Sequence, residues 1–429
     1  MAPRLVKSEA TLATARTGVA RVGTKTVRIP SFFACTQSAE DLKILLEQPL
    51  PSDNLGGVVV PLYAAYQVAR EADRYDLDYS RSFVGERWKD LNERLVVLVD
   101  PVPEVFYVNR PGLRARVAGL EGAPPEFFSR LAATTSENHH DSWTRIPPPS
   151  FLAMVDWIAR YQNMMGAEIT LPLTPLVAEA SKASVDLSIK TNSMAASYLT
   201  SGNHLPGLYF AINYPLFRRG EFVDRLARGI DELVEMWNPH ALVIRFRGLP
   251  SVESDDDDPL MGNLSRFLLY VGAVGQKVGL PVVLLNSGTY GFAALGVGSD
   301  IFSESLNGNI GDPFDAKDPD SVKKRGFRPG YLSGRVYHPV HKINLARRDF
   351  ELALASEGAY PEVPLSAPPV PTAGDADFRK QAKHYRAAAR AEEAAKMKAA
   401  ILNGEERALS EEFARSRARN AEKLIPNRF

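Results

Sequence analysis

The chain has 429 residues, 45% of them hydrophobic and 24% charged, and its 51 basic and 51 acidic side chains cancel. These values exclude a fibrous or wholly disordered chain, and the zero balance excludes a global field that would draw it onto nucleic acid or membrane. One cysteine, Cys35, excludes an internal disulfide and a multi-cysteine zinc site and suits a reducing compartment.

Met1 to Gly18 lacks the apolar segment of a signal peptide, and every apolar run is far short of a membrane span. The expectation is a cytoplasmic protein with no membrane contact. From residue 16 to about 310, strand and helix signals alternate. Val27 to Thr36 reads as a strand, followed by Ser38 as a helix cap with acids in the first turn and then Leu42 to Leu46. Gly57 to Tyr63 is the second strand, with the helical stretch Ala64 to Arg74 behind it.

Leu95 to Asp100 (LVVLVD) is a run of apolar residues, the pattern of a strand buried on both faces in a parallel sheet. It ends on an acid, and Pro101 and Pro103 cannot continue the ladder. Asp100 therefore falls at the mouth of the sheet, where parallel α/β folds place their chemistry, and reads either as a functional acid or as a capping, solvated one. A Pro-rich loop leads to the helix Phe151 to Met165, the strand Ala167 to Leu173 and a helical stretch from Leu176.

The second half repeats the unit. Leu208 to Tyr214 is a strand feeding the helix Glu221 to Trp237, whose Phe222, Leu226, Ile230, Leu233 and Met236 keep three- and four-residue steps. The strand Ala241 to Phe246, the helix Leu264 to Val278, the strand Pro281 to Leu285, a short helix around Phe292 and the strand Asp300 to Phe302 follow. Eight strands with intervening helices predict an α/β fold, a (βα)8 TIM-type barrel over 1–345, with a doubly wound sheet as the alternative.

Pro361 to Pro371 carries five prolines, so 346–374 reads as a semi-rigid linker. From 375 to 429 a C-terminal, Ala-rich helical tail bears Arg379, Lys380, Lys383, Arg386, Arg390, Lys396 and Lys398 against Glu392 and Glu393. It is the candidate contact for nucleic acid, RNA or DNA, or else a solvated helix.

Motif order then resembles that of the tRNA-guanine transglycosylase superfamily, whose members exchange a base in nucleic acid for a deazaguanine. Arg16-Thr17-Gly18 through Ile29-Pro30-Ser31-Phe32 looks like the family's opening hairpin and strand, and Leu98-Val99-Asp100 with Val105-Phe106 lies where its Asp-Ser-Gly-Gly-Phe-Gln strand falls. Tyr161 to Ile169 is similar to Gln-x-x-Leu-Gly-Ser-Asp-Ile, Ala211-Ile212-Asn213 to the Ile-Val-Gln-Gly-Gly strand, and Phe246-Arg247-Gly248-Leu249 to the Gly-Gly-Leu loop of the base pocket. Leu295 to Phe302 resembles Gly-Val-Asp-Met-Phe-Asp, which carries the family's nucleophile.

The resemblance implies a general acid/base at Asp100 and substrate contacts at Thr174, Asn213, Gly248 and Leu249. It also departs from the family. The three cysteines and histidine of the family's zinc site are missing, so a zinc-less member with no metal and no cofactor is expected. The base-reading Asp falls on Thr174, the base-reading Gln on Asn213, and the nucleophilic Asp on Ser303, beside Glu304.

Base exchange needs a nucleophilic carboxylate and a proton shuttle. Asp100 offers one role, and Glu304 the other if the strand slips by one residue, although such a slip turns a side chain to the opposite face. Asp300 marks the start of that strand. Asn286 and Ser287, with Gly288, Thr289 and Tyr290, follow a buried strand and open a short helix, so they read as an anion cradle or as a plain turn.

Arg245, Arg247, Arg218 and Arg219 are candidates for gripping phosphates, opposed by the acidic run Asp255 to Asp258. His139-His140 reads as part of a solvated loop, and His338 with His341 lacks further metal ligands. The leading expectation is a pentosyltransferase-type base exchange on nucleic acid or a nucleoside. The alternatives are a noncatalytic relative serving as a nucleic-acid-binding or scaffold subunit, and another hydrolytic or lyase reaction at the same face. An oligomer is compatible with each.

Overall fold

A computed structural model describes residues 15–36, 54–62, 93–103, 122–131, 139–247, 259–287, 290–306, 336–338, 343–345 and 375–406, with Asp41, Leu45, Ala118, Ala408 and Leu409. The chain enters through an antiparallel hairpin, β1 (Gly18–Val22) and β2 (Lys25–Ile29). The expected single strand over Val27 to Thr36 is broken at Pro30, which lacks an N–H for the ladder, and β3 (Ser31–Cys35) starts beyond it.

Then come β4 (Leu55–Pro61), β5 (Val96–Asp100), α1 (Pro125–Leu131), α2 (His139–Thr144), α3 (Pro148–Met164) and α4 (Lys182–Ser201). β6 (Leu208–Asn213) leads through a 3-10 turn (Tyr214–Arg218) into α5 (Gly220–Trp237), β7 (Leu242–Arg247), α6 (Pro259–Val278), β8 (Val282–Leu285), α7 (Tyr290–Leu295) and β9 (Ile301–Ser305). β10 (Val336–His338) pairs with β11 (Ile343–Leu345), and α8 (Asp375–Asn403) follows near the C-terminus.

Seven strands build one all-parallel sheet in the order β5-β4-β3-β9-β8-β7-β6. The sheet curls, and this corrects the expected (βα)8 barrel: the ladder is open between its edge strands β5 and β6, where Ala167 to Leu173 was expected as a strand. The reason lies in two side-chain amides, each able to accept and donate as a peptide group does. Gln162 of α3 accepts from the Leu171 N–H and donates to the Leu171 carbonyl, both at 2.7 Å.

Asn192 of α4 does the same for Tyr209 on β6, accepting from its N–H and donating to its carbonyl at 2.9 Å each. Backbone groups that an eighth strand would pair are therefore satisfied by side chains. Residues 168–177 make one bond toward β5, from Glu168 N to Val97 O, and two isolated bridges on the other side, Thr170 with Leu205 and Gly207 and Val177 with Ala211 and Asn213, too far apart to form a continuous ladder.

Alternation along each strand separates two faces. Phe33, Leu98, Tyr209, Val243, Leu285 and Ile301 belong to the cluster on the concave side, which continues into α1 to α3. On the convex side, Phe210, Ile244 and Leu284 pack under α5 and α6, and Phe32, Ala34, Val58 and Phe302 pack under α8. Leu226, Ile230 and Leu233 of α5 are buried as their spacing predicts, whereas Met236, at the helix end, is 64% exposed.

The hairpin seals the N-terminal end of the strands. Arg16 donates to both carboxylate oxygens of Asp300, just before β9, and to the carbonyl of Leu280. Lys25 donates to Leu95 O, just before β5, and pairs with Glu168 at 2.8 Å. Burial pushes the Asp300 carboxyl up from its ordinary value, and Arg16 opposes that shift. Chemistry on this sheet is thus confined to the C-terminal end of the strands.

The C-terminal helix is no solvated tail. Ala387, Ala391, Ala394, Met397 and Ala400 form a stripe at three- and four-residue steps that seats on Phe32, Ala34, Val58 and Phe302. Short alanine side chains let the helix approach the sheet closely. Lys383, Arg386 and Arg390 are buried beneath it. Lys383 pairs with Asp41, and Arg386 donates to the carbonyl of Leu306 at 2.8 Å. Arg390 pairs with Glu304 and Glu393 and lies 5.3 Å from the Phe302 ring centroid. These three residues are consumed internally and do not present themselves to nucleic acid. Lys396 is exposed.

Candidate functional site

Asp100, the last residue of β5, is 2% exposed and meets side chains from the start of β6 and the middle of β7. Its Oδ2 accepts from Arg245 at 3.0 Å, and its Oδ1 accepts from the Tyr209 hydroxyl at 2.7 Å. These partners come from the opposite edge of the sheet and from the strand beside that edge, so the cluster ties across the concavity the ends that the ladder leaves apart. Asp100 Oδ1 also accepts from the Val102 N–H at 3.2 Å, turning the chain into a left-handed conformation at Val102, φ 47°. For a β-branched residue this costs about 1–3 kcal/mol, and the flanking prolines and the Asp100 bond hold it.

Cys35 shares this interior. Burial, and then the nearby Asp100 carboxylate, push its thiol up to about 12. It is a neutral thiol at physiological pH and is unsuited to act as a thiolate nucleophile. Tyr209 and Arg245 were not singled out as partners of Asp100 from sequence. A signal existed: an arginine inside the apolar run Ala241 to Phe246 must find a counter-charge when buried. Arg245 is 4% exposed, which corrects its reading as a phosphate-gripping residue.

Ser303 and Glu304 part company because successive residues of a strand face opposite ways. Ser303 is buried on the concave side, where its Oγ accepts from the Asn286 N–H at 3.0 Å. Its carbonyl accepts from the Ser287 N–H at 3.0 Å. Glu304 lies on the convex side beside Ala34, 1% exposed, with Arg390 on one oxygen. Asp100 and Glu304 therefore occupy opposite faces of the sheet, and the slipped register that would bring them together does not occur.

The remaining expected substrate residues divide. Thr174 is buried and spends its hydroxyl on the Tyr209 carbonyl at 3.0 Å, so it reinforces the wall. Asn213 and Arg247 are register partners at the ends of β6 and β7, each half-buried at the mouth. Asn286 is left-handed, φ 51°, and half-buried, and Ser287 is buried with its hydroxyl 3.3 Å from Ser303 O. Gly248, Leu249, Gly288, Thr289, Asp255 to Asp258 and His341 lie outside the described residues.

His139 was expected in a solvated loop but is 2% exposed in α2, against the mouth. Burial, and secondarily His140, lower its imidazole to about 4, and Arg247 acts in the same direction. The mouth thus presents an amide at Asn213 and a guanidinium at Arg247, with the neutral imidazole of His139 buried behind them, above a floor whose carboxylate is already paired. Such a surface can recognise a polar ring or an anion.

The fold and this interior define an α/β protein whose curled parallel sheet opens at one end onto a polar mouth. No helix among the described residues is long and apolar enough to cross a membrane. Comparison with protein-family models and with curated proteins gives no match for the chain.

Proposed function

We propose that the protein is a cytoplasmic, noncatalytic relative of the transglycosylase-like proteins that binds nucleic acid or a nucleoside at the mouth of its sheet. The observation that carries this reading is the fate of the two carboxylates. Retaining exchange at a glycosidic carbon needs them about 5–5.5 Å apart across one pocket. Here Glu304 pairs with Arg390 on the convex face, and Asp100 is engaged by Arg245, Tyr209 and Val102 on the concave one. Asn213 and Arg247, half-buried at the ends of β6 and β7, would supply the contacts to a base edge or a phosphate.

The test incubates the protein with RNA and with DNA in the presence of labelled guanine or a deazaguanine and follows nucleosides by mass spectrometry. Binding is measured in parallel by fluorescence anisotropy. The expected result is saturable binding, weakened by Arg247→Ala, with no exchanged base. Exchange by the wild type that disappears in Asp100→Asn, with the variant still folded, would restore the enzyme reading.

A further inference from the structure

From the geometry we infer a phosphate subsite at the rim of the mouth, between the segment that precedes α4 and the 3-10 turn that follows β6. The inference deepens the nucleic-acid reading given above and rests on it. A concavity of about 550 Å³ is lined there by Glu179, Ser181, Pro215, Leu216, Arg218 and Arg219. It lies at the functional end of the sheet, because Val177 bridges Ile212 and Asn213 N donates to the Val177 carbonyl, immediately before both lining segments.

Two features make the concavity an anion site. Arg218 and Arg219 are both exposed, and among the described residues neither makes an ion pair or a side-chain hydrogen bond. Elsewhere the arginines of this end are spent, as Arg245 is on Asp100. Two adjacent guanidiniums without a carboxylate partner repel each other, and a phosphate that accepts from both relieves that repulsion.

The second feature is the start of α5. Arg219 is its N-cap residue and supplies no side-chain acceptor, and Phe222 N turns back to the Arg219 carbonyl. The N–H groups of Gly220 and Glu221 are therefore left for an external acceptor beside the arginines. Glu179, also exposed, lines the same concavity, and its negative charge would oppose an anion there.

The ligand chemistry is a phosphate ester or diester, and its source is resolved by two probes. A labelled 12-nucleotide single strand is titrated by anisotropy at 20–200 mM salt, and inorganic pyrophosphate is titrated by calorimetry. Arg218→Ala/Arg219→Ala is compared with Arg130→Ala/Arg228→Ala, which removes the same charge from exposed positions on other helix surfaces. The rim variant should weaken oligonucleotide binding roughly tenfold at low salt and flatten the log K against log salt slope by about 0.7, the value of one lost phosphate contact. The control should move the affinity less than twofold, and Glu179→Gln should tighten it.

Equal losses in the rim variant and the control would overturn the subsite, while leaving the nucleic-acid reading in place. Absence of oligonucleotide binding by the wild type overturns that reading, and pyrophosphate binding lost in the rim variant would then uphold the subsite alone. Neither probe binding overturns both.

Discussion

Converting Asp100 to Asn tests whether this acid holds the sheet or performs chemistry. The substitution keeps shape and an acceptor for Tyr209 and Val102, but leaves Arg245, 4% exposed, without its counter-charge. Removing one partner of a buried pair costs about 3–5 kcal/mol, because the remaining charge is stranded away from water. Arg245→Met strands the carboxylate and costs a similar amount. If the two losses were independent, the double variant would lose about 6–10 kcal/mol, comparable to a whole domain's stability.

The structure instead predicts that Asp100→Asn/Arg245→Met loses only about 1–3 kcal/mol, the cost of one unsatisfied amide, so the pair is coupled by at least about 3 kcal/mol. The assay is urea denaturation of the wild type, both single variants and the double variant. Thermal melts run alongside should fall by about 3–6 °C in each single variant. Additive losses, or single variants within about 0.5 kcal/mol of the wild type, would refute the closure of the concavity by this ion pair.

Three further outcomes follow from the same geometry. Gln162→Leu strips the Leu171 N–H and carbonyl of their partners and should lower stability by about 2–5 kcal/mol in urea, whereas Asn163→Leu, on the exposed side of the same helix, should stay within about 0.5 kcal/mol. His139 is lowered from 6.5 to about 4 in the folded chain, so between those values the unfolded chain binds the extra proton. Stability conferred by His139 is then full above pH 6.5 and falls as the pH drops toward 4, by up to about 3 kcal/mol; His139→Phe should flatten that part of the stability–pH curve. Arg390→Met strands Glu304 on the convex face and should cost about 3–5 kcal/mol, and ending the chain before α8 should uncover Phe32, Val58 and Phe302 and raise binding of an apolar fluorescent dye.

How much of this was legible depends on the range of the interaction. The apolar runs at Val96 to Asp100, Leu208 to Asn213 and Val282 to Leu285 are local signals of buried parallel strands, and each is a strand. The run after Ala167 carries much the same signal. Whether it pairs is decided by Gln162 and Asn192, which approach from helices α3 and α4 and take the backbone groups first.

The candidate site shows the same division. Asp100 stands out because a buried strand ends on it, but its side-chain partners lie more than a hundred residues away, and the arginine inside the run Ala241 to Phe246 signals only that it needs a counter-charge, not which one. The basic composition of 383–390 reads as a surface for an anion until the convex face supplies Asp41, Glu304 and the Leu306 carbonyl.

The amino-acid order alone therefore determined which segments are strands or helices in most of the chain, since periodicity and chain breakers act over a few residues. It also placed Asp100 at a strand end and kept Ser303 and Glu304 on opposite faces, because a strand's alternation leaves no freedom there. Only the tertiary structure decided that the sheet stays open by one strand, that Asp100 is neutralised by Arg245 and Tyr209, and that the basic helix faces inward. These outcomes depend on which charges and amides meet across the fold, and burial makes an unmet charge costly enough that the nearest partner in space prevails over any pattern along the chain.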